Sequence, residues 1–146
     1  ILQGKDITRK IRTEKIALKS SIIAASSEVR EFIRPCQRDF LKSPGLIADG
    51  RDMGTVIFPD ADLKIFLTAS IQERAKRRQS QLKRQGSRVN MRVLLKELKA
   101  RDKKDMDREH SPLRPAEDSY VVDTSKMKPK EVIKEVKKFP FDFLNK

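Results

Sequence analysis

The sequence has 146 residues, with 34 Lys and Arg against 21 Asp and Glu, a net charge of +13. That length suits one domain, 37% hydrophobic residues allow a modest core, and the charge favours an anionic partner: a nucleic acid, a membrane surface or a phosphorylated small molecule. A lone Cys36 excludes an intrachain disulfide, a lone His110 excludes a multi-histidine metal site, and no apolar run approaches the ~20 residues of a membrane span.

In chain order, Ile1–Ile11 reads as a short strand with a turn at Gly4-Lys5-Asp6. Thr13 is expected to cap a helix over residues 14–25, with Ile16, Ser20, Ile23 and Ala24 near one face. A second helix begins near Ser27 with Val29, Phe32 and Ile33 as its buried side; Pro35 should kink it or separate it from a turn around residues 37–41. Ser43-Pro44-Gly45 is a loop, and Leu46–Asp49, fenced by glycines, reads as a buried strand. A turn at 58–62 leads into a strand over Leu63–Thr68, apolar at consecutive positions as parallel strands covered on both faces tend to be.

Ser70-Ile71-Gln72-Glu73 is a capping box that opens a helix with Ile71, Ala75 and Leu82 on its stripe and Gly86 at its end. Asn90 can cap the next helix, whose stripe is Val93/Leu94, Leu98 and Asp105. Pro112 and Pro115 break the chain, Ser119–Asp123 is a third buried strand, and Pro129–Phe139 a last amphipathic helix. The tail FPFDFLNK carries no clear pattern. Strands separated by helices favour a parallel α/β sheet over a helical bundle.

In such a sheet, ligands sit beyond the carboxyl ends of the strands. Asp49-Gly50-Arg51-Asp52 lies at such an end: Arg51 offers a planar fork for phosphate and Asp52 a pure acceptor, although a local Arg–Asp pair in an ordinary turn has the same spacing. Residues 73–108 hold 14 Lys/Arg against 5 Asp/Glu. Arg74, Lys76, Arg77, Arg78, Lys83 and Arg84 share one helix, either as a clamp on phosphate oxygens or as a solvated basic face. Arg101, Asp105 and Arg108 fall at i, i+4 and i+7, so the central carboxylate can hold both cations or the three can present one ligand face. Cys36 has no visible activating partner and reads as inert, and His110 as a surface residue. No Gly-x-x-x-x-Gly-Lys-[Ser/Thr] run occurs.

Taken together, ADGRDMGTVIFPDADLKIFLTAS, the ERAKRR run, the Arg101/Asp105/Arg108 face and SPLRPAEDSYVVDTS resemble bacterial-type cytidylate kinase, from about Gly4-Lys5-Asp6-Ile7 and Ile11-Arg12-Thr13 to about Val136. The resemblance implies a P-loop nucleoside monophosphate kinase of α/β fold, a parallel sheet with flanking helices, moving the ATP γ-phosphoryl group to CMP or dCMP with Mg²⁺. It implies that Ser21, Arg30 and Asp52 read cytosine, that Arg51 and Arg108 hold the monophosphate, and that Arg101 and Asp105 contact the sugar and nearby phosphate charge. Arg74, Arg77 and Arg78 match a mobile lid over the ATP phosphates, with Arg51, Arg108 and Arg78 as the catalytic cations. Residues 1–42 would then be the end of a CMP-binding insert, and 43–146 a core with a lid at about 70–110. The phosphate loop expected upstream of Ile1, and the missing initiator Met, make the chain the expected C-terminal two-thirds of the enzyme, incomplete at its N-terminus and of little or no activity alone. A cytoplasmic monomer is expected, with nucleotides as partners and neither nucleic acid nor membrane. The rival is a non-catalytic nucleic-acid-binding module; it explains the +13 charge but not carboxylates set among arginines, and 5% aromatic content offers little base stacking.

Overall fold

The computed structural model describes residues 1–11, 13–84, 86, 88–109 and 111–139. Arg12 of the resembling motif, His110 and the tail beyond Phe139 lie outside the described residues. The chain forms two compact units, Ile1–Ile47 and Ala48–Lys146.

In the first unit the expected strand over Ile1–Ile11 is not formed. Leu2 and Lys5 exchange backbone hydrogen bonds of 2.8 and 2.9 Å around Gln3 and Gly4, both at positive φ. Asp6 Oδ1 then accepts from the Thr8 amide at 2.8 Å and starts helix α1, Thr8–Ile11. The local side-chain cap wins because a strand here has only that one bridge for a ladder. Helix α2, Glu14–Ile23, is capped as expected, Thr13 Oγ1 accepting from Ile16 N. Helix α3, Ser27–Arg38, is capped by Ser26 Oγ on Val29 N and contains Pro35 inside it rather than ending there. The carbonyl of Pro35 accepts from Asp39 N at 2.9 Å, so the last turn closes despite the missing proline donor. The anticipated buried side of α3 is not buried: Phe32 is 85% exposed. Among the described residues α3 has no buried position, so its apolar stripe stays largely open to solvent.

In the 45–49 segment no strand forms, and Ile47 is fully exposed. No strand among the described residues pairs with it, and an apolar run becomes a strand only when its backbone groups find a ladder. Beyond it the second unit contains a π-helical turn, Met53–Ile57, that sequence periodicity does not signal. The Asp52 carbonyl accepts from both Val56 N and Ile57 N, at 2.9 and 3.2 Å, and the turn ends with Ile57 in the core.

The parallel pair is present: β1, Ile65–Thr68, runs beside β2, Tyr120–Asp123, in the register Ile65↔Tyr120 to Thr68↔Asp123. Its expected cover on both faces is not; Val122 is buried, but Leu67 and Val121 are exposed. Helix α4, Ile71–Arg84, starts where Ser70 Oγ accepts from Glu73 N. The reciprocal half of that capping box is replaced, since Ser70 N donates to Ser125 Oγ at 2.8 Å. Gly86, at φ +81, follows the helix as an αL stop. Asn90 Oδ1 accepts from Arg92 N and opens α5, Met91–Met106. Ala75 and Leu82 of α4 and Leu94 of α5 are buried, and the two helices pack together. Helix α6, Pro129–Val136, follows β2, with the Tyr120 ring 4.4 Å from that of Phe139.

Candidate functional site

Asp105 is the most deeply buried charged side chain described, at 1% exposure. It sits where the stripe of α5 turns inward, as the spacing Leu94, Leu98, Asp105 anticipates. Three guanidinium groups meet it. Arg51 Nε, from the turn before the π-helical segment, lies 2.9 Å from Oδ2. Arg108 Nη2 contacts Oδ1, and Arg101 Nε stands 3.9 Å from Oδ2. The helix-face reading in which the carboxylate holds both flanking cations therefore describes the geometry, and Arg51 joins them from 54 residues away in sequence. Exposure grades across the trio: Arg108 is 9% exposed, Arg51 33% and Arg101 47%. Burial pulls the Arg51 guanidinium below the ordinary arginine range; Asp105 opposes that pull, and Arg101 and Arg108 add to it.

Three cations about one carboxylate leave two positive charges in excess. The alignment is that of ion pairs; neither Asp105 oxygen accepts a well-formed hydrogen bond among the described residues, and Arg108 Nε is buried without an acceptor. A buried, unpaired donor on a cation costs about 1–3 kcal/mol or more. An oxyanion is the ligand chemistry that satisfies both the charge and the orphaned donor.

The α4 arginines are dispersed rather than clustered. Arg74 Nη1 and Nη2 donate to the two oxygens of Asp102 at 2.8 and 2.5 Å, and its Nε donates to Ala69 O just beyond β1. The hydrogen bonds to Asp102 raise the Arg74 pKa further, against a smaller opposing effect of burial. Arg77 donates to Thr124 Oγ1 at 3.1 Å and to the carbonyls of Thr124 and Met127, at the end of β2. Arg78 donates to Gln81 Oε1, one turn along its own helix. Through Arg74 and Asp102, α5 is fastened at the carboxyl end of β1, which places the Asp105 cluster one helical turn from the edge where ligands sit in parallel sheets.

Asp52 is buried at the start of the π-helical turn, a distortion that recurs at functional sites. A Cβ at Gly50 would stand 2.8–2.9 Å from Met53 side-chain carbons, so a larger residue there requires the Met53 side chain to move. Within the first unit, Ser21 is half-buried on α2, and Arg30 on α3 donates from Nη1 to the Ala24 carbonyl at 3.3 Å, closing the end of α2. Periodicity did not single out Asp102, whose partner lies 28 residues away, or Thr124; the adjacent Arg101-Asp102 pair was the one available signal. Among the described residues no group of three or more His, Cys, Asp and Glu is placed to hold a metal ion, and no helix is long and apolar enough to cross a membrane.

A parallel α/β unit whose strand-end helix carries a cationic cluster about a buried carboxylate has a charge arrangement suited to an anion. The family model for cytidylate kinase matches residues 1–139, so the chain belongs to the cytidylate kinase family, with its P-loop nucleoside monophosphate kinase fold. Proteins named cytidylate kinase are similar over nearly the whole chain. That of Pseudomonas aeruginosa is 48% identical over 136 residues, covering 93% of this chain and 59% of its own length. That of Cupriavidus pinatubonensis is 50% identical over 135 residues, covering 92% and 61%. That of Aeromonas hydrophila is 52% identical over 133 residues, covering 91% and 58%. The chain thus spans about three-fifths of the length of the curated relatives it matches.

Proposed function

We propose that the chain supplies the monophosphate-binding and phosphate-closing parts of an enzyme that transfers the ATP γ-phosphoryl group to CMP or dCMP, giving CDP or dCDP. The observation that carries this reading is the Arg51/Arg101/Arg108 trio on buried Asp105, whose double positive excess complements a phosphomonoester dianion. Arg108, buried with an orphaned Nε, and Arg51 grip the phosphate. Asp105 fixes their positions in advance, so no reorganisation is required when the phosphate enters. Arg101, the most exposed of the three, is assigned to the sugar and the phosphate charge beside it.

Base discrimination is assigned to Ser21, Arg30 and Asp52 on chemical grounds. Cytosine offers an amino donor where uracil offers a carbonyl, so a carboxylate at that position accepts from one and repels the other, a difference on the order of 1–3 kcal/mol. Phosphoryl transfer needs alignment and positive charge around the equatorial oxygens. Arg78, which donates to Gln81 on its own helix, is the α4 arginine assigned to the ATP phosphates. Arg77 and Arg74 belong to the same lid segment. ATP and Mg²⁺ are the co-substrate and ion this reaction uses. Among the described residues no group of three or more His, Cys, Asp and Glu is placed to hold a resident metal. The enzyme is read as a cytoplasmic monomer acting on nucleotides rather than on nucleic acid or membranes.

Calorimetric titration with CMP and UMP, with turnover of this chain beside a version extended to the length of its relatives, tests the reading. CMP should bind more tightly than UMP, and only the extended protein should turn over. A steep, salt-sensitive affinity for duplex DNA with no response to CMP would replace this reading with the nucleic-acid module.

A further inference from the structure

Asp102 lies three residues before Asp105 on α5, one turn away and next to Arg101. It is largely buried, and its charge reaches Arg51, where it is among the influences that raise the guanidinium pKa. An untethered carboxylate at that place could turn onto Arg51 or Arg101 and cancel part of the positive excess that the phosphate needs. It does not turn, because Arg74 occupies both of its oxygens while anchored through Nε to Ala69 O.

We propose that Arg74 is a positioning residue that sequesters Asp102 and so keeps a competing carboxylate off the arginines that receive the substrate phosphate. The proposal rests on the phosphate-site reading above and gives Arg74 a role distinct from gripping ATP. Two features of the geometry support it. Both Arg74–Asp102 bonds are charge-assisted and bidentate, the arrangement that best fixes a carboxylate's orientation. The third Arg74 bond goes to a backbone carbonyl at the strand end, so the guanidinium itself is pinned.

The test is CMP titration of this chain extended to the length of its relatives, as parent, Arg74→Ala, Asp102→Asn and the double variant. Freeing Asp102 in Arg74→Ala should weaken CMP about tenfold, as expected of one extra carboxylate acting on a phosphate through partly screened solvent. Asp102→Asn should stay within about twofold of the parent, and the double variant should recover to within about threefold. Thermal midpoints should fall in all three, since each loses the strut, so recovered affinity separates charge competition from mere structure. If Arg74→Ala does not fold, Arg74→Gln, which keeps hydrogen bonding without charge, serves in its place. A double variant as weak as Arg74→Ala, an Arg74 variant that binds CMP normally, or a loss confined to ATP would overturn the proposal alone. A parent that does not bind CMP would overturn the phosphate-site reading together with it.

Discussion

Asp105→Asn removes one charge and almost no volume from the centre of the cluster. The carboxylate is 1% exposed and faces three guanidiniums, so its neutralisation leaves like charges facing one another. Breaking a buried pair by removing one partner typically costs 3–5 kcal/mol. Arg51 and Arg101, a third to a half exposed, can rehydrate and deserve a discount, whereas Arg108, at 9%, cannot escape. The expected loss is therefore about 3 kcal/mol, which for a protein of 150–250 residues lowers the thermal midpoint by roughly 6–12 °C. Melting followed by circular dichroism measures it. Adding Arg108→Met to Asp105→Asn should give a sum of losses that exceeds the double variant's loss by about 1 kcal/mol or more, since the two groups share one contact. A midpoint within about 2 °C of the parent, or strict additivity with Arg108→Met, would refute the claim that Asp105 organises the arginines.

Leu94→Ala, which empties a buried position between α4 and α5, should cost about 3 kcal/mol in urea titration, and a loss below about 1 would mean that the two helices are not packed there. Asp52→Ala should weaken CMP much more than UMP in calorimetry; equal losses would remove Asp52 from base selection. Asp118 is held below the ordinary carboxyl value of 3.8, chiefly by the hydrogen bond from Lys64 Nζ at 2.6 Å. A depressed folded-state pKa contributes stability that is present above 3.8 and is lost as pH falls through the lower folded value. The thermal-midpoint gap between the parent and Asp118→Asn should accordingly be open at neutral pH and close on acidification below that value. A gap that persists unchanged in strong acid would show that the contact acts by packing rather than by charge.

What could be read from the sequence was governed by short-range chemistry. Thr13 and Asn90 cap their helices because a side-chain oxygen meets an amide two or three residues on, a distance set by the helix itself. The inward place of Asp105 followed from the 3.6-residue repeat that also buries Leu94. The parallel strands were visible as consecutive apolar runs, although Leu67 and Val121 remain uncovered. Long-range partners were not visible. Leu46–Ile47 has the composition of a strand but no ladder partner among the described residues, and Phe32 has the spacing of a core residue but lies 85% exposed. Lys64 meets Asp118 across 54 residues, and Arg77 meets Thr124 across 47. Such pairings are set by which helix ends arrive at which strand ends, which no local pattern encodes. The π-helical turn after Asp52 was missed for a related reason, since its i to i+5 bond has no propensity signature.

The most direct measurement compares CMP with cytidine by calorimetry in the parent and in Arg108→Leu. Cytidine carries the same base and sugar without the dianion, so CMP should bind the parent far more tightly, and Arg108→Leu should erase most of that advantage while leaving cytidine affinity nearly as it was. Equal affinity for CMP and cytidine in the parent, or an unchanged CMP preference in Arg108→Leu, would contradict a phosphate site built on the arginines around Asp105.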